Sequence, residues 1–194
     1  MLKNKIVLLG ITGGIAAYKS AELARLLIKA GASVQVVMTD HALSFITPLT
    51  MKTLTGRPVY TSLFNPAYGS ATIHIDLARE PHMFVVAPAT ANFLGKLAAG
   101  LGDDLLSTLF LAVEPQERPV LLAPAMNTAM FENPVVRENM ERLRLRGFEL
   151  ADPDAGTLAC GDVGKGRMVE PSQLLQLIRE KLVSAAGGDY RGLT

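Results

Sequence analysis

Cysteine is almost absent from this chain: a single thiol, Cys160, stands in 194 residues. One cysteine excludes an internal disulfide and a cysteine-rich zinc site, and it fits a reducing compartment. Histidine is scarce as well, and His41, His74 and His82 lack the spacing of metal ligands. An excess of either charge is missing, because 19 Lys and Arg against 18 Asp and Glu leave a net +1. That balance gives no electrostatic footprint for nucleic acid. No apolar run approaches the ~18 residues that span a bilayer. Met1-Leu2-Lys3-Asn4-Lys5 runs directly into an apolar segment too brief and wrongly flanked for a signal peptide. Internal repeats and low-complexity segments are also absent. The expectation is a cytoplasmic protein with no nucleic-acid and no membrane partner.

What is present describes an α/β core. Hydrophobic content is 49% with 19% charge, at a length that suits one well-buried domain. Short β-rich apolar runs alternate with longer helical patterns, as βαβ units of a parallel sheet do. Residues 6–9, 34–38, 83–87, 120–123 and 148–150 read as strands. Helical periodicity covers 15–30, 42–54, 91–97, 103–113, 134–146 and 171–183, while 56–69 is turn-rich and irregular. The predicted fold is a doubly wound, Rossmann-like parallel sheet with helices on both faces, a flavodoxin-like three-layer arrangement. Residues 1–184 form the domain, and 185–194 have the composition of a linker or tail.

In such sheets ligands bind beyond the carboxyl ends of the strands. The first segment placed there is GITGGIAAYKS, Gly10 to Ser20. Its glycines let backbone N–H groups approach an anion at a helix N-terminus, or simply make a tight strand-to-helix turn. The spacing matches neither G-x-G-x-x-G nor a P-loop. After the second strand, Asp40 can accept from a ribose hydroxyl and Thr39 can bind a phosphate; both readings stay open. PATAN (Pro88 to Asn92) and PAMN (Pro124 to Asn127) each follow a buried strand. Their small residues leave room for a flat ligand, and Thr90, Asn92 and Asn127 add uncharged hydrogen-bonding groups. Met126 and Met130 read equally as core filler or as a soft wall against such a ligand.

His74 lies between isoleucines and is either a structural residue or the best available general base near neutral pH. Cys160 sits in ACGDVGKGRM, Ala159 to Met168. Gly161, Gly164 and Gly166 make this stretch supple, and Lys165 and Arg167 add charge that lowers a thiol's pKa. The segment reads as a mobile flap carrying a reactive group.

Taken in order, GITGGIAAYKS, T-x-H-I-x-L around His74, PATANFLGK, PAMNTAMFENP and ACGDVGKGRM resemble the flavin-dependent cysteine decarboxylases. Within that family they resemble the phosphopantothenoylcysteine branch of coenzyme A biosynthesis, over nearly the whole chain. The resemblance implies FMN as cofactor, with Gly13, Gly14, Ile15, Ala16 and Thr39 at its tail. Ala89, Thr90, Ala91, Asn92 and Ala125 would line the rest of it. It further implies a substrate, 4′-phosphopantothenoylcysteine, met by Asn127, Met130, Lys165, Arg167 and Met168.

The catalytic residues on this analogy are His74, Asn127 and Cys160. His74 acts as base while the substrate thiol is oxidised to a thioaldehyde, and Asn127 grips the carboxylate that leaves as CO2. Cys160 then protonates the enethiolate as it is reduced to 4′-phosphopantetheine. Family members form homo-oligomers, trimers or dodecamers of trimers, with the site near a subunit interface. Bacterial relatives often continue into a ligase domain that joins phosphopantothenate to cysteine, and the tail resembles the entry to such a domain. Three related branches differ in detail. Peptidyl-cysteine decarboxylases share FMN, His and Asn, and flavin prenyltransferases carry GASG where this chain has Thr12-Gly13-Gly14-Ile15. Non-catalytic regulatory subunits that bind a phosphatase can lose the catalytic residues present here.

Overall fold

The computed structural model of the chain describes residues 2–152, 154–157 and 163–187. Strands β1 (Ile6–Ile11), β2 (Ser33–Met38), β3 (Val59–Tyr60), β4 (Met83–Ala89), β5 (Val120–Pro124) and β6 (Glu149–Leu150) form one sheet. Their order is β3-β2-β1-β4-β5-β6, and every pairing is parallel. Between them run α1 (Tyr18–Lys29), α2 (Pro48–Thr55), α3 (Ile73–Arg79), α4 (Ala91–Ala99), α5 (Leu105–Leu111), α6 (Thr128–Glu132) and α7 (Pro134–Leu145). Strands β7 (Asp154–Thr157) and β8 (Val163–Arg167) pair antiparallel in a separate hairpin, and α8 (Pro171–Gly187) follows.

The two-residue period of the strands sorts side chains onto opposite faces of the sheet. Val7, Leu9, Val36 and Val85 pack with Leu23 and Leu27 of α1, Met51 of α2, and Leu174 and Ile178 of α8. Leu8, Val37, Phe84 and Val86 face the other layer, where Leu77, Phe93, Phe110 and Leu143 lie on α3, α4, α5 and α7. Phe110 meets Phe84 and Phe93 edge-on, with ring centroids 5.9 and 5.7 Å away. The doubly wound, three-layer expectation holds. No helix among the described residues is long and apolar enough to cross a membrane.

Local differences from the sequence reading have identifiable causes. The helix expected over 42–54 divides into a 3₁₀ turn, Asp40–Ser44, and α2. Pro48 suits only a first turn, and the Thr47 side chain caps it by accepting from the Thr50 N–H. The helix expected from Ile15 opens as a 3₁₀ turn and becomes α-helical at Tyr18. The sequence reading has no α3, which is 7 residues long and lacks a side-chain N-cap. The expected flap contains β8 in its second half. Its glycines serve close packing there: a Cβ at Gly164 would stand 2.5 Å from Thr128 Oγ1, and one at Gly166 would collide with the Met126 carbonyl oxygen. Gly166 also takes φ +131, which disfavours any other residue.

The end of β4 departs from a regular ladder. Its pairing with β1 stops at Val86, and its register against β5 shifts between Val86 and Ala89. The carbonyls released there are taken by hydroxyls from the first crossover. Ser20 Oγ donates to the Ala87 carbonyl at 2.5 Å, and Thr12 Oγ1 donates to the Pro88 carbonyl at 2.7 Å. Thr12 Oγ1 also accepts from the Thr90 N–H at 3.1 Å. Both hydroxyl residues are buried, so each unmade bond would carry a desolvation penalty. Thr12→Val keeps the shape and orphans both the Pro88 carbonyl and the Thr90 amide. We expect urea denaturation to show a loss of about 1–3 kcal/mol, with Thr12→Ser close to wild type; equal stability of Thr12→Val would remove the hydroxyl from this role.

Candidate active site

After β1 the chain turns to one face of the sheet, and after β4 it turns to the other. The crevice that opens beyond such diverging strands is the expected ligand site of a doubly wound sheet. A cavity of about 1000 Å³ lies there. One wall is the turn after β1, where Gly13, Gly14, Ile15 and Ala16 line the space. Gly13 packs so tightly on His41 that a Cβ would overlap that residue. His41 is exposed and also lines the cavity. The N–H groups that open this helical stretch have no carbonyl one turn earlier to bond, and they present a positive dipole end.

A second wall comes from the loops after β4 and β5. Thr90, Ala91, Asn92, Ala125, Met126 and Asn127 all line the cavity. Thr90 caps α4 by accepting from the Phe93 N–H. Asn127 caps α6, its Oδ1 accepting from the Ala129 N–H at 2.8 Å. That bond fixes the amide plane and identifies Nδ2 as the donor end. Met130, Gly166, Arg167 and Met168 complete the enclosure, and the Gly166 carbonyl accepts from the Met126 N–H at 3.0 Å.

Thr39 also lines the cavity, and its Oγ1 is buried without a hydrogen-bond partner among the described residues. An orphaned hydroxyl facing an open cavity invites a ligand acceptor such as a phosphate oxygen. Of the two readings open at this position, that observation favours a phosphate at Thr39, while Asp40 also lines the cavity.

Three expected residues stand apart from the cavity wall. Ala89 is fully buried, its side chain in the core and its carbonyl accepting from the Ala125 N–H at 3.1 Å. Lys165 is exposed on β8 and is not part of the lining. His74 sits on α3, outside the lining, with its Nδ1 buried and without a hydrogen-bond partner among the described residues. Cys160 lies outside the described residues.

Other lining residues went unassigned in the sequence. Lys96 pairs with Asp103 at 2.6 Å and Asp104 at 2.9 Å. Partial burial works against the Lys96 charge, but these hydrogen bonds outweigh it and raise the pKa of the ammonium. Thr12 and Lys19 also reach the cavity. For Lys19 a signal existed: it stands four and eight residues before Leu23 and Leu27, on the same buried stripe of α1.

A family profile described as Flavoprotein matches residues 1–183. The coenzyme A biosynthesis bifunctional protein CoaBC of Vibrio parahaemolyticus is 51% identical over 179 residues, 92% of this chain and 44% of that protein. This chain thus spans less than half the length of that relative. A solved PPC decarboxylase variant complexed with pantothenoylaminoethenethiol is 34% identical with a TM-score of 0.80, over 92% of this chain and 98% of that one. The FMN binding protein AtHal3 is 34% identical with a TM-score of 0.79, over 94% and 98% of the two chains. Sequence and fold agree over almost the full length: the chain belongs to the flavoprotein family.

Proposed function

We propose that this chain is an FMN-dependent decarboxylase of 4′-phosphopantothenoylcysteine, the first half of a bifunctional enzyme of coenzyme A biosynthesis. The observation that carries the reading is the match, across 98% of its length, to a PPC decarboxylase solved with an enethiol compound. The cavity fits the cofactor on its own terms. Thr39 and the turn from Gly13 to Ala16 suit the phosphate, and the small residues from Thr90 to Asn92 and at Ala125 leave room for a flat ring. Bound FMN supplies reversible two-electron chemistry, so that the reaction closes without net oxidation.

The chain's own residues do the rest. The Asn127 Nδ2 donor holds the substrate carboxylate until it leaves as CO2. Met126, Met130 and Met168 keep water from a reactive enethiolate. Cys160 delivers a proton to that enethiolate from the segment between β7 and β8. His74 receives the proton lost in the first oxidation, and it does so at the cavity of a neighbouring subunit of a homotrimer. Its place on α3, outside its own chain's cavity wall, is what supports a shared site. The same reading places the enzyme in the reducing cytoplasm, where a lone thiol survives.

The purified protein is expected to be yellow, to release flavin on heating and to liberate CO2 from 4′-phosphopantothenoylcysteine. A colourless protein that refuses FMN, or one that acts only on a peptide ending in cysteine, would contradict the assignment. Cys160→Ser should still release CO2 but accumulate an oxidised enethiol, identifiable by mass spectrometry; a normal yield of 4′-phosphopantetheine would remove Cys160 from its role. Inactive His74→Asn and Asn127→Ala proteins, unfolded and refolded together, should recover part of the activity through mixed trimers. No recovery from a mixture shown to contain mixed oligomers would place both residues in one subunit's site.

A further inference from the structure

Lys19 is a charged residue in a place that excludes charge. Its side chain is 7% exposed, on the stripe of α1 that packs against the sheet. A buried ammonium needs both a counter-charge and hydrogen-bond acceptors. Lys19 Nζ finds them on the segment joining β8 to α8: it pairs with Glu170 Oε1 at 2.8 Å and donates to the Met168 carbonyl at 3.2 Å. The same carboxylate oxygen carries a second cation, because Arg167 NH2 lies 2.6 Å from Glu170 Oε1. One carboxylate therefore serves two cations, and both line the cavity.

The two cations differ in freedom. Lys19 is buried and also tied to a backbone carbonyl, whereas the Arg167 side chain is 45% exposed at the end of β8. Glu170 is fixed from behind: its backbone carbonyl accepts from the Gln173 and Leu174 N–H groups at the start of α8. Resting on the decarboxylase reading above, we propose that Lys19, Glu170 and Arg167 form an anion-exchange clamp. Glu170 holds the Arg167 guanidinium while the cavity is empty, and it yields that group to an anion of the substrate while keeping Lys19. Lys19 is thus a positioning residue. It leaves Glu170 with a partner when Arg167 departs, so no buried charge is stranded by the exchange. The planar fork of Arg167 suits either a carboxylate or a phosphate, and the substrate offers both. Glu170 is ready to serve as the placeholder, since its hydrogen bond from Lys19, aided by Arg167, holds its carboxyl below the usual range and keeps it ionised.

Calorimetric titration of the FMN-loaded protein tests the clamp with probes that separate the two anions. Pantothenoylcysteine carries only the carboxylate, 4′-phosphopantetheine only the phosphate, and inorganic phosphate neither the chain nor the thiol. Arg167→Met should weaken at least one of them about tenfold, the loss of one charge-assisted contact. Glu170→Gln should tighten the same probe several-fold, and the tightening should vanish in the double variant. Glu170→Asp, which keeps a counter-charge for Lys19, should tighten it too and serves if Glu170→Gln does not fold. A merely structural Glu170 would lower stability without tightening any probe. Unchanged affinities in Arg167→Met, weaker binding in both Glu170 variants, or a wild type that binds none of the three would overturn the clamp. CO2 release reports separately: anion binding through Arg167 without decarboxylation would retain the clamp and reject the substrate.

Discussion

The site depends on how the end of β4 is held. Where that strand leaves its ladder, the Ala87 and Pro88 carbonyls lose their sheet partners, and a buried carbonyl without a partner is costly. Ser20 and Thr12 take those two carbonyls, and Thr12 reaches on to the Thr90 amide. The turn after β1 and the loop after β4 are thereby fixed to one another by short bonds in a buried setting. Every cavity wall follows from that join. The glycine turn faces Thr90 across it, and the loop after β5 hangs from β4 through the Ala89 carbonyl. β8 then closes on that loop through Gly166.

Much of this was legible because strong local signals coincide with the global topology. The continuous apolar run of β4 announces a strand buried on both faces, and small residues after it announce room for a ligand. Most of the cofactor contacts named from sequence line one cavity. The illegible parts lack a local signature. α3 has 7 residues and no side-chain cap, so neither periodicity nor a start signal marks it. β7, the partner of β8, has only 4 residues, and its pairing is a tertiary fact that local propensity does not specify. The glycines of β8 look like flexibility in a sequence, yet their reason is the nearness of Met126 and Thr128, a tertiary fact. His74 shows the limit from the other side. The sequence marks it as a candidate base, but its place outside its own chain's cavity lining was not readable there.

The lysines and the arginine that line the cavity are each paired with a carboxylate. Lys96 is balanced by Asp103 and Asp104, while Lys19 and Arg167 share Glu170. The first cluster is neutralised with carboxylate to spare, and the second keeps a surplus of positive charge for an incoming anion. Unpaired charges this close to an apolar, methionine-lined wall would be expensive to desolvate. Arranging these cations in shared pairs lets the site attract an anion without leaving a bare cation when it is empty.

The most direct measurement is a crystal structure of the protein grown with FMN. The account predicts flavin in the cavity beyond β1 and β4, its phosphate within hydrogen-bond reach of the Thr39 hydroxyl and the amides after Gly13. Its ring should lie against Thr90 to Asn92 and Ala125. Flavin bound elsewhere, or a phosphate turned away from Thr39, would contradict it.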